Sequence, residues 1–376
     1  MKVMMMVTWF TSRDAEVLLD GVFHYEQSMA LKQYADMALY YPFDQSEEKG
    51  LVKRMERDLL TYRFAPWHND RARRFPEILK GSIEAVKDYQ PDIIHAHVAA
   101  GAGVIAVIVG KLLHIPVIVT EHNPIELSHF DKKINRMLVD FVYRRTYANI
   151  CVSKDSRDRL SKIFPKCEFH VIYNGIENPE RIEADGGNYA VEGKLNFAIV
   201  AAFYSKEIKG YQYLLPALAA LKEKGYPLML HVCGGGDYLD YYKNMAKELG
   251  IEDSVIFYGQ CERQKVYSIV RQMKFTVSAS IFECSGVSVQ EAMLLGKPLV
   301  VTRSGGANSL VTDQTAIVVD RESSEALTEG IEKMLKELDE GGFESKEIQN
   351  YAYGHFEIDQ VSKRYMKLYR KCLRKR

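Results

Sequence analysis

Two glutamates flank a small-residue turn late in the chain, in an order that could hold an anion and the group attached to it. Glu283 follows an apolar strand, and Glu291 lies in the helix predicted to begin near Gly286. The first amides of a helix have no intrahelical acceptors, and the helix dipole is positive there. The backbone of Gly286, Val287 and Ser288 is therefore predicted to bind a phosphate or diphosphate.

The positions of the two carboxylates along this helix suggest what accompanies the phosphates. Glu291 lies roughly 6–8 Å further along the axis, about the reach from a diphosphate to the ribose of the same nucleotide. Glu283, before the helix, would lie near whatever the diphosphate carries. Chance alone produces such Glu pairs, so an exposed helix residue and a loop carboxylate are the alternative interpretation. The buried strand before the turn and the Gly-Lys-Pro exit at 296–298 favour a nucleotide-sugar site.

Further candidates follow other predicted strands. Lys209 precedes Gly210 after the strand near 195–202, where a lysine could contact a diphosphate oxygen and offset charge on the leaving group. Lys206 is a nearby candidate for the same contact with the diphosphate. The alternative interpretation is that Lys209 and Gly210 form an ordinary surface loop. Gly305 and Gly306 follow another strand and could cradle a donor sugar, although a tight turn explains them equally well.

Histidines mark the ends of two strands in the first half of the chain. His122 could donate a hydrogen bond to a sugar hydroxyl or a developing oxyanion, and a satisfied core histidine is the alternative. His95 and His97 are interpreted as pointing to opposite faces of their strand. Because nothing in the sequence adds carboxylate ligands to them, no metal site is predicted.

Composition excludes several classes of protein. The 376 residues are 47% hydrophobic and 27% charged, and 50 basic residues balance 50 acidic ones, so no overall field favours nucleic acid. Six cysteines show no C-x-x-C spacing, which indicates neither disulfides nor zinc. No run approaches the ~20 apolar residues of a membrane span. A cytoplasmic protein is expected, with peripheral contact at the inner face of the membrane as a further hypothesis.

Strands alternate with helices through both halves, which predicts two parallel α/β sheets of Rossmann-like type. The turn-rich run 174–193 is interpreted as the linker between them. The predicted domains are residues 1–180, residues 181–355, and a C-terminal helix over 356–376.

Two basic segments interrupt this pattern. The region 47–74 is rich in arginine and is interpreted as a surface excursion with one strand near 60–64. A helix predicted over 131–147 carries lysines and arginines on one face and apolar residues, including Ile134 and Leu138, on another. Either segment could rest on an anionic membrane.

Several motifs together resemble one enzyme family. The most specific is the E-x7-E pattern within FECSGVSVQEAMLLGKPLV, followed by SGG at 304–306; PDIIHAH, VTEH, VIYNGIE and KGYQYLL support it. With these motifs the chain resembles the retaining glycosyltransferases of family 4, the glycosyl transferases group 1. The resemblance implies the GT-B fold, two Rossmann-like domains facing across a cleft, with the C-terminal helix crossing back to the N-terminal domain.

The resemblance also implies roles for particular residues. Glu283 would face the donor sugar, Glu291 the ribose, Lys209 the diphosphate and His122 the reacting region. The donor would bind the C-terminal domain and the acceptor the N-terminal one, with retained anomeric configuration, no cofactor and no required metal. Many relatives carry a glycine pair near the donor phosphates, where this chain has the single Gly21.

One departure concerns the leaving group. Relatives usually place Gly-Arg ahead of the Lys-Gly pair, with the arginine on the diphosphate, whereas this chain has AAFY at 201–204. The second positive charge is therefore missing or comes from elsewhere, with Lys206 and Arg303 as candidates.

The leading expectation is a transferase that moves a hexose or N-acetylhexosamine from a UDP-sugar, favoured over a GDP-sugar, to a glycan or lipid-linked acceptor in cell-surface polysaccharide synthesis. The alternatives are a nucleotide-sugar epimerase on the same fold and a degenerate, non-catalytic sugar-nucleotide-binding subunit.

Overall fold

The computed structural model describes residues 1–11, 21–128, 130 and 132–375, and the chain divides into two compact units. The first unit is Met1–Gly175 together with Ile358–Arg376, and the second is Ile176–Glu357. Most of the predicted linker 174–193 belongs to the second unit. Arg271 of the second unit donates from Nη2 to the carbonyls of Pro179 and Ile182, at 2.7 and 2.8 Å, and so holds the predicted linker against the rest of that unit.

The first unit is built on an eight-stranded sheet. Its strands are β1 (Lys2–Met6), β2 (Asp36–Tyr41), β3 (Gly50–Glu56), β4 (Leu59–Ala65), β5 (Ile93–His97), β6 (Val117–Glu121), β7 (Ala148–Cys151) and β8 (Phe169–Val171). They lie in the order β3-β4-β2-β1-β5-β6-β7-β8, and every neighbouring pair is parallel except β3 with β4. Apolar clusters bury both faces of this sheet, which explains continuous apolar strands such as Val3–Met6.

Helices connect these strands. They are α1 (Val22–Lys32), α2 (Arg71–Tyr89), α3 (Val104–Leu113), α4 (Lys133–Tyr143) and α5 (Lys154–Ile163), with a π-helical turn at Val98–Gly103 and a 3₁₀ turn at Ile125–Leu127. Side-chain caps fix some of the helix starts: Asp70 accepts from the N–H of Arg73, and Ser153 from that of Ser156. Asp131, where one helix was predicted to begin, lies outside the described residues, as does Arg376.

The arginine-rich region 47–74 differs from its prediction. It forms the hairpin β3–β4, and β4 continues the main sheet by pairing with β2. Arg63, counted among the surface arginines, is only 1% exposed, and Glu56 binds it through both carboxylate oxygens. The strand predicted near 60–64 is confirmed as β4, but the prediction of a surface excursion was wrong, because the charged residues Lys53, Arg54 and Glu56 hide the edge strand β3.

The second unit contains a six-stranded parallel sheet. Its strands are β9 (Leu195–Val200), β10 (Leu228–Cys233), β11 (Val255–Phe257), β12 (Phe275–Ser278), β13 (Leu299–Thr302) and β14 (Ala316–Val319), in the order β11-β10-β9-β12-β13-β14. Its helices are α6 (Tyr211–Glu223), α7 (Leu239–Glu248), α8 (Arg263–Gln272), α9 (Val287–Leu294), α10 (Ser324–Asp339) and α11 (Ser345–Phe356). Single 3₁₀ turns lie at Pro179–Arg181, Glu252–Ser254 and Ala307–Ser309.

Helix α11 was not among the predicted elements. Its buried residues, Ile348, Ala352 and Phe356, recur every four positions, but Gly354 and several polar residues separate them. Sparse apolar content of this kind gives a weak periodic signal.

The last helix, α12 (Ile358–Arg374), packs on the first unit. Its buried face joins the apolar cluster beneath β1 and β5. Polar groups also fix it: Tyr369 Oη lies 2.7 Å from Nδ1 of His95, and Nε2 of the same histidine lies 2.7 Å from Oγ1 of Thr120. Among the described residues, no helix is both long and apolar enough to cross a membrane.

Candidate functional site

Glu283 stands at the centre of a polar cluster beyond the carboxyl end of β12. Its main chain is fixed on both sides, since its N–H donates to Ser304 O at 2.8 Å and its carbonyl accepts from Gly306 N at 2.9 Å. Its carboxylate lies 2.5 Å from Nζ of Lys209 and accepts from Oγ of Ser280 at 2.9 Å. With 19% of its side chain exposed, Glu283 remains accessible to a small ligand.

Lys209 reaches Glu283 because two loops approach closely. The loop after β9 contacts the loop after β12 through a hydrogen bond from Ile281 N to Ile208 O, at 2.8 Å. Gly210 makes this approach possible: it adopts φ 70°, and a Cβ there would lie 1.9 Å from Ala279 O. The structure therefore brings together two residues that were predicted separately, 74 positions apart.

Helix α9 begins immediately after this pair. Gly286 occupies its N-cap position with φ 98° and ψ 67°, a left-handed conformation that suits glycine. Val287 and Ser288 form the first turn, where helix amides lack intrahelical acceptors. A Cβ on Gly286 would lie 2.9 Å from Cβ of Ala307, so the SGG loop packs directly against this turn.

Glu291 lies one turn into α9 and has partners that were not predicted. Tyr267 Oη donates to its Oε1 at 2.9 Å, and Nε of Arg263 lies 3.8 Å from the same oxygen. Both partners come from α8, which has no sequence motif that marks them. The carboxylate is thus oriented, with 14% of the side chain exposed.

The SGG loop is bound to Glu283 rather than being an independent turn. Gly305 forms an isolated parallel bridge with Glu283, and its N–H donates to Asn308 Oδ1 at 2.7 Å. A Cβ on Gly306 would lie 2.2 Å from the carbonyl of Cys284. Gly305 and Gly306 therefore position the backbone of the glutamate.

The two candidates for a second positive charge have other partners. Lys206 Nζ lies 4.4 Å from the centre of the Tyr241 ring, in a cation–π contact. Arg303 Nε lies 3.0 Å from Asp320 Oδ1, and its side chain is 62% exposed.

His122 and Gly21 belong to the first unit, where they form a second cluster. Gly21 caps α1 with φ 70° and accepts a hydrogen bond from His24 N at 2.9 Å. Nδ1 of His97 lies 2.9 Å from both Nδ1 of His24 and Nε2 of His122. The predicted opposite orientation of His95 and His97 was wrong: residues two apart on a strand share a face, and their rings lie 4.6 Å apart.

Burial controls the charge of these imidazoles. Burial lowers the pKa of His122 to about 3. It also holds the pKa values of His24 and His97 well below their usual range, and for these two the neighbouring histidines lower the pKa further. All three side chains are therefore neutral at pH 7. His122 can donate one hydrogen bond there but supplies no positive charge.

Glu121 positions the backbone around His122. Its buried carboxylate accepts hydrogen bonds from the N–H groups of Ala99, His122 and Asn123 and from Tyr143 Oη, at 2.9–3.2 Å. Burial nevertheless raises its pKa. The sequence marked this glutamate only as the end of a strand, and its partners lie in three different segments.

Two family models match adjoining parts of the chain. The model described as "Glycosyl transferases group 1" matches residues 183–353, and the model "Glycosyltransferase Family 4" matches residues 34–178. The first contains the cluster around Glu283, and the second contains His97 and His122.

Similar sequences carry glycosyltransferase names. Alpha-monoglucosyldiacylglycerol synthase of Streptococcus pneumoniae is 31% identical over 252 residues, which is 62% of this chain and 56% of that protein. An uncharacterized glycosyltransferase of Methanocaldococcus jannaschii is 26% identical over 248 residues, 61% of this chain and 62% of that protein. The matched regions thus span less than two thirds of both relatives.

Solved structures share the fold across the chain. Sucrose-phosphate synthase of Thermosynechococcus elongatus superposes with a TM-score of 0.78 at 14% identity, covering 100% of both chains. HepE of Anabaena in complex with UDP superposes with a TM-score of 0.77 at 17% identity, covering 99% of this chain and 100% of that one. At such identities the likeness defines the fold.

Proposed function

This chain belongs to the family 4 glycosyltransferases of GT-B fold, and on that premise we propose that it transfers a hexose or N-acetylhexosamine from a UDP-sugar to a glycan or lipid-linked acceptor, with retention of configuration and without a required metal. We place this reaction in cell-surface glycan synthesis at the cytoplasmic side of a membrane. Relatives that are named for glycolipid or lipopolysaccharide synthesis support this placement.

The observation that carries the proposal is the Lys209–Glu283 pair beside the first turn of α9. The amides of Val287 and Ser288 and the ammonium of Lys209 suit the two phosphates, because both favour negative charge. Glu291 would accept hydrogen bonds from the ribose hydroxyls. Glu283 would then face the anomeric carbon, where positive charge develops as the diphosphate leaves.

The preference for UDP rests on solved relatives. The HepE structures contain UDP, UDP with glucose, or UDP-glucose. We propose the same base for this chain, and the comparison with GDP- and ADP-sugars below tests that choice.

A groove in the first unit suits an acceptor with an apolar part. Its volume is about 780 Å³, and it begins near Thr8 and Gly101 and continues to Phe75 and Phe141. Thr8 Oγ1 donates to the main-chain carbonyl of His97 at 2.7 Å, so one wall of the groove is joined to the end of β5. We propose that this groove holds the lipid-linked part of the acceptor.

The surface beside the groove is suited to a membrane. Ile134, Met137 and Leu138 on α4 are 69, 61 and 45% exposed, which is unusual for residues of this size. They stand among basic residues of α4, and Arg71 and Arg73 are exposed at the start of α2. Exposed apolar side chains combined with basic ones are typical of helices that lie on anionic bilayers.

We expect UDP-sugars to raise the melting temperature of the full chain by about 5 °C at 100 times their Kd, because a ligand that binds only the folded state stabilises it by about 2.7 kcal/mol. GDP- and ADP-sugars at the same concentration serve as controls. Products are then analysed with and without acceptor. A stabilising GDP-sugar would contradict the donor assignment, and epimerised sugar without acceptor would indicate the epimerase.

Membrane contact predicts binding to anionic vesicles. Reversal of Arg71, Arg73 and Arg74 to glutamate is expected to weaken co-sedimentation with phosphatidylserine vesicles about 100-fold, since each basic residue contributes about 1 kcal/mol. The matched control reverses Lys363, Lys367 and Arg370 on the exposed face of α12. Equal weakening of vesicle binding by both sets of substitutions would show that only net charge matters, and would contradict the proposed membrane-binding surface.

A further inference from the structure

Three histidines from different elements converge in the first unit. His97 ends β5, His122 follows β6, and His24 lies in the first helical turn of α1. One ring nitrogen from each lies within 4.8 Å of the corresponding nitrogens of the other two, and both contacts of His97 measure 2.9 Å.

Hydrogen bonding among these rings does not satisfy them. A neutral imidazole has one N–H and one bare nitrogen, each with a single in-plane direction for a partner. Nδ1 of His97 nevertheless faces two other ring nitrogens at hydrogen-bond distance. Nε2 of His24 and Nε2 of His97 are buried and have no hydrogen-bond partner. Nδ1 of His97 can form only one of its two contacts as a hydrogen bond, so the cluster is poorly explained as packing alone.

The same atoms are well disposed for a cation. Nitrogen ligands lie about 2.0–2.1 Å from a tetrahedral zinc ion, which places them about 3.3 Å from one another. The two separations of 2.9 Å from Nδ1 of His97 need only a small expansion to reach that value, and the ligand nitrogens of His24 and His122 lie within 4.8 Å of each other.

The residues around the three histidines indicate the class of metal and the side from which an ion would enter. The ring of Phe23 lies 3.9 Å from that of His24 and 4.8 Å from that of His122, so aromatic carbon lines one side. His24 and His97 are fully buried, whereas His122 is partly exposed and leaves a route for an ion. Imidazole ligands favour Zn²⁺, Co²⁺, Ni²⁺ and Cu²⁺ over Mg²⁺, which prefers oxygen.

We propose that Nδ1 of His24, Nδ1 of His97 and Nε2 of His122 bind one divalent transition-metal ion of the zinc class. All three ligands belong to the first unit, and the inference does not depend on the proposed transfer reaction. With the metal bound, the Nε2–H groups of His24 and His97 still have no hydrogen-bond acceptor. Absence of this hydrogen bond to a ligating histidine weakens metal binding about 10–100-fold. The expected binding is therefore weaker than that of zinc enzymes whose ligands are fully supported.

Cobalt titration of the tag-free full chain, freed of metal by a chelator, tests the proposal. We expect one equivalent of Co²⁺ to produce the visible absorption of a tetrahedral nitrogen site, Zn²⁺ to displace it, and Mg²⁺ to have no effect. His122→Gln removes the partly exposed ligand and should weaken binding about 100-fold. His170→Gln, at a surface histidine with 50% exposure, should leave binding unchanged.

Thermal unfolding separates loss of the site from loss of the fold. Metal should raise the melting temperature of the wild type and of His170→Gln but not that of His122→Gln, whose metal-free melting curve reports its folding. Absence of cobalt binding to the wild type would overturn the proposal. Equal affinity in wild type and His122→Gln, or loss of binding in His170→Gln, would overturn it as well.

Discussion

Replacing Glu283 by glutamine is expected to reduce glycosyl transfer about 1,000-fold while UDP still raises the melting temperature. Glutamine keeps the size of the side chain and can still accept a hydrogen bond from Ser280, but it removes the negative charge that faces the proposed anomeric carbon. The fold should persist, because an ion pair with 30 and 19% exposed side chains contributes little to stability.

Comparison with Glu283→Ala identifies which property of the glutamate matters. If the charge is decisive, alanine and glutamine lower initial transfer rates to a similar extent; if the hydrogen bond is decisive, glutamine retains most of the activity. Glu340→Ala, at a side chain that is 61% exposed, provides the control and should keep full activity. A Glu283→Ala variant with a rate within threefold of wild type would remove Glu283 from the reaction.

Replacing Lys209 by methionine is expected to lower the transfer rate about 100-fold and to weaken donor binding as well, because the ammonium would contact the diphosphate before and after the glycosidic bond breaks. Its effect should be large in this chain, since the arginine that relatives carry nearby is replaced by the AAFY run at 201–204. Lys209→Arg should restore part of the rate by keeping the charge.

Lys206→Met is the matched control for this lysine. Lys206 contacts the ring of Tyr241, and we expect its replacement to change the rate less than tenfold. Steady-state measurements of kcat and KM for the three variants decide between the two lysines. A larger loss in Lys206→Met than in Lys209→Met would transfer the diphosphate role to Lys206.

The candidate donor residues were predictable because they are close in sequence. Glu283, Gly286 and Glu291 lie on one strand–turn–helix unit, so strand and helix signals alone place them in order. Their partners were not predictable in the same way. The contact of Glu283 with Lys209 depends on the close approach of Gly210 to Ala279, which only tertiary packing produces.

The histidine cluster shows the same limit more strongly. His97 and His122 end neighbouring parallel strands, and this alone places them at one edge of the sheet. His24 comes from α1, far earlier in the chain, and no local pattern distinguishes it from an ordinary helix residue. The expectation of no metal was drawn without this third imidazole.

Helix α12 adds a consequence for synthesis of the protein on the ribosome. Tyr365, Tyr369 and other residues of this helix complete the apolar cluster that contains Val3 and Met5, yet about 180 residues of the second unit are made between the two parts. The ribosome adds about 5–20 residues per second, so the apolar face beneath β1 stays exposed for roughly 10–40 s before α12 is made and can bury it. The second unit is contiguous and can finish folding first, so the nascent first unit is the part that most needs protection from aggregation by a chaperone.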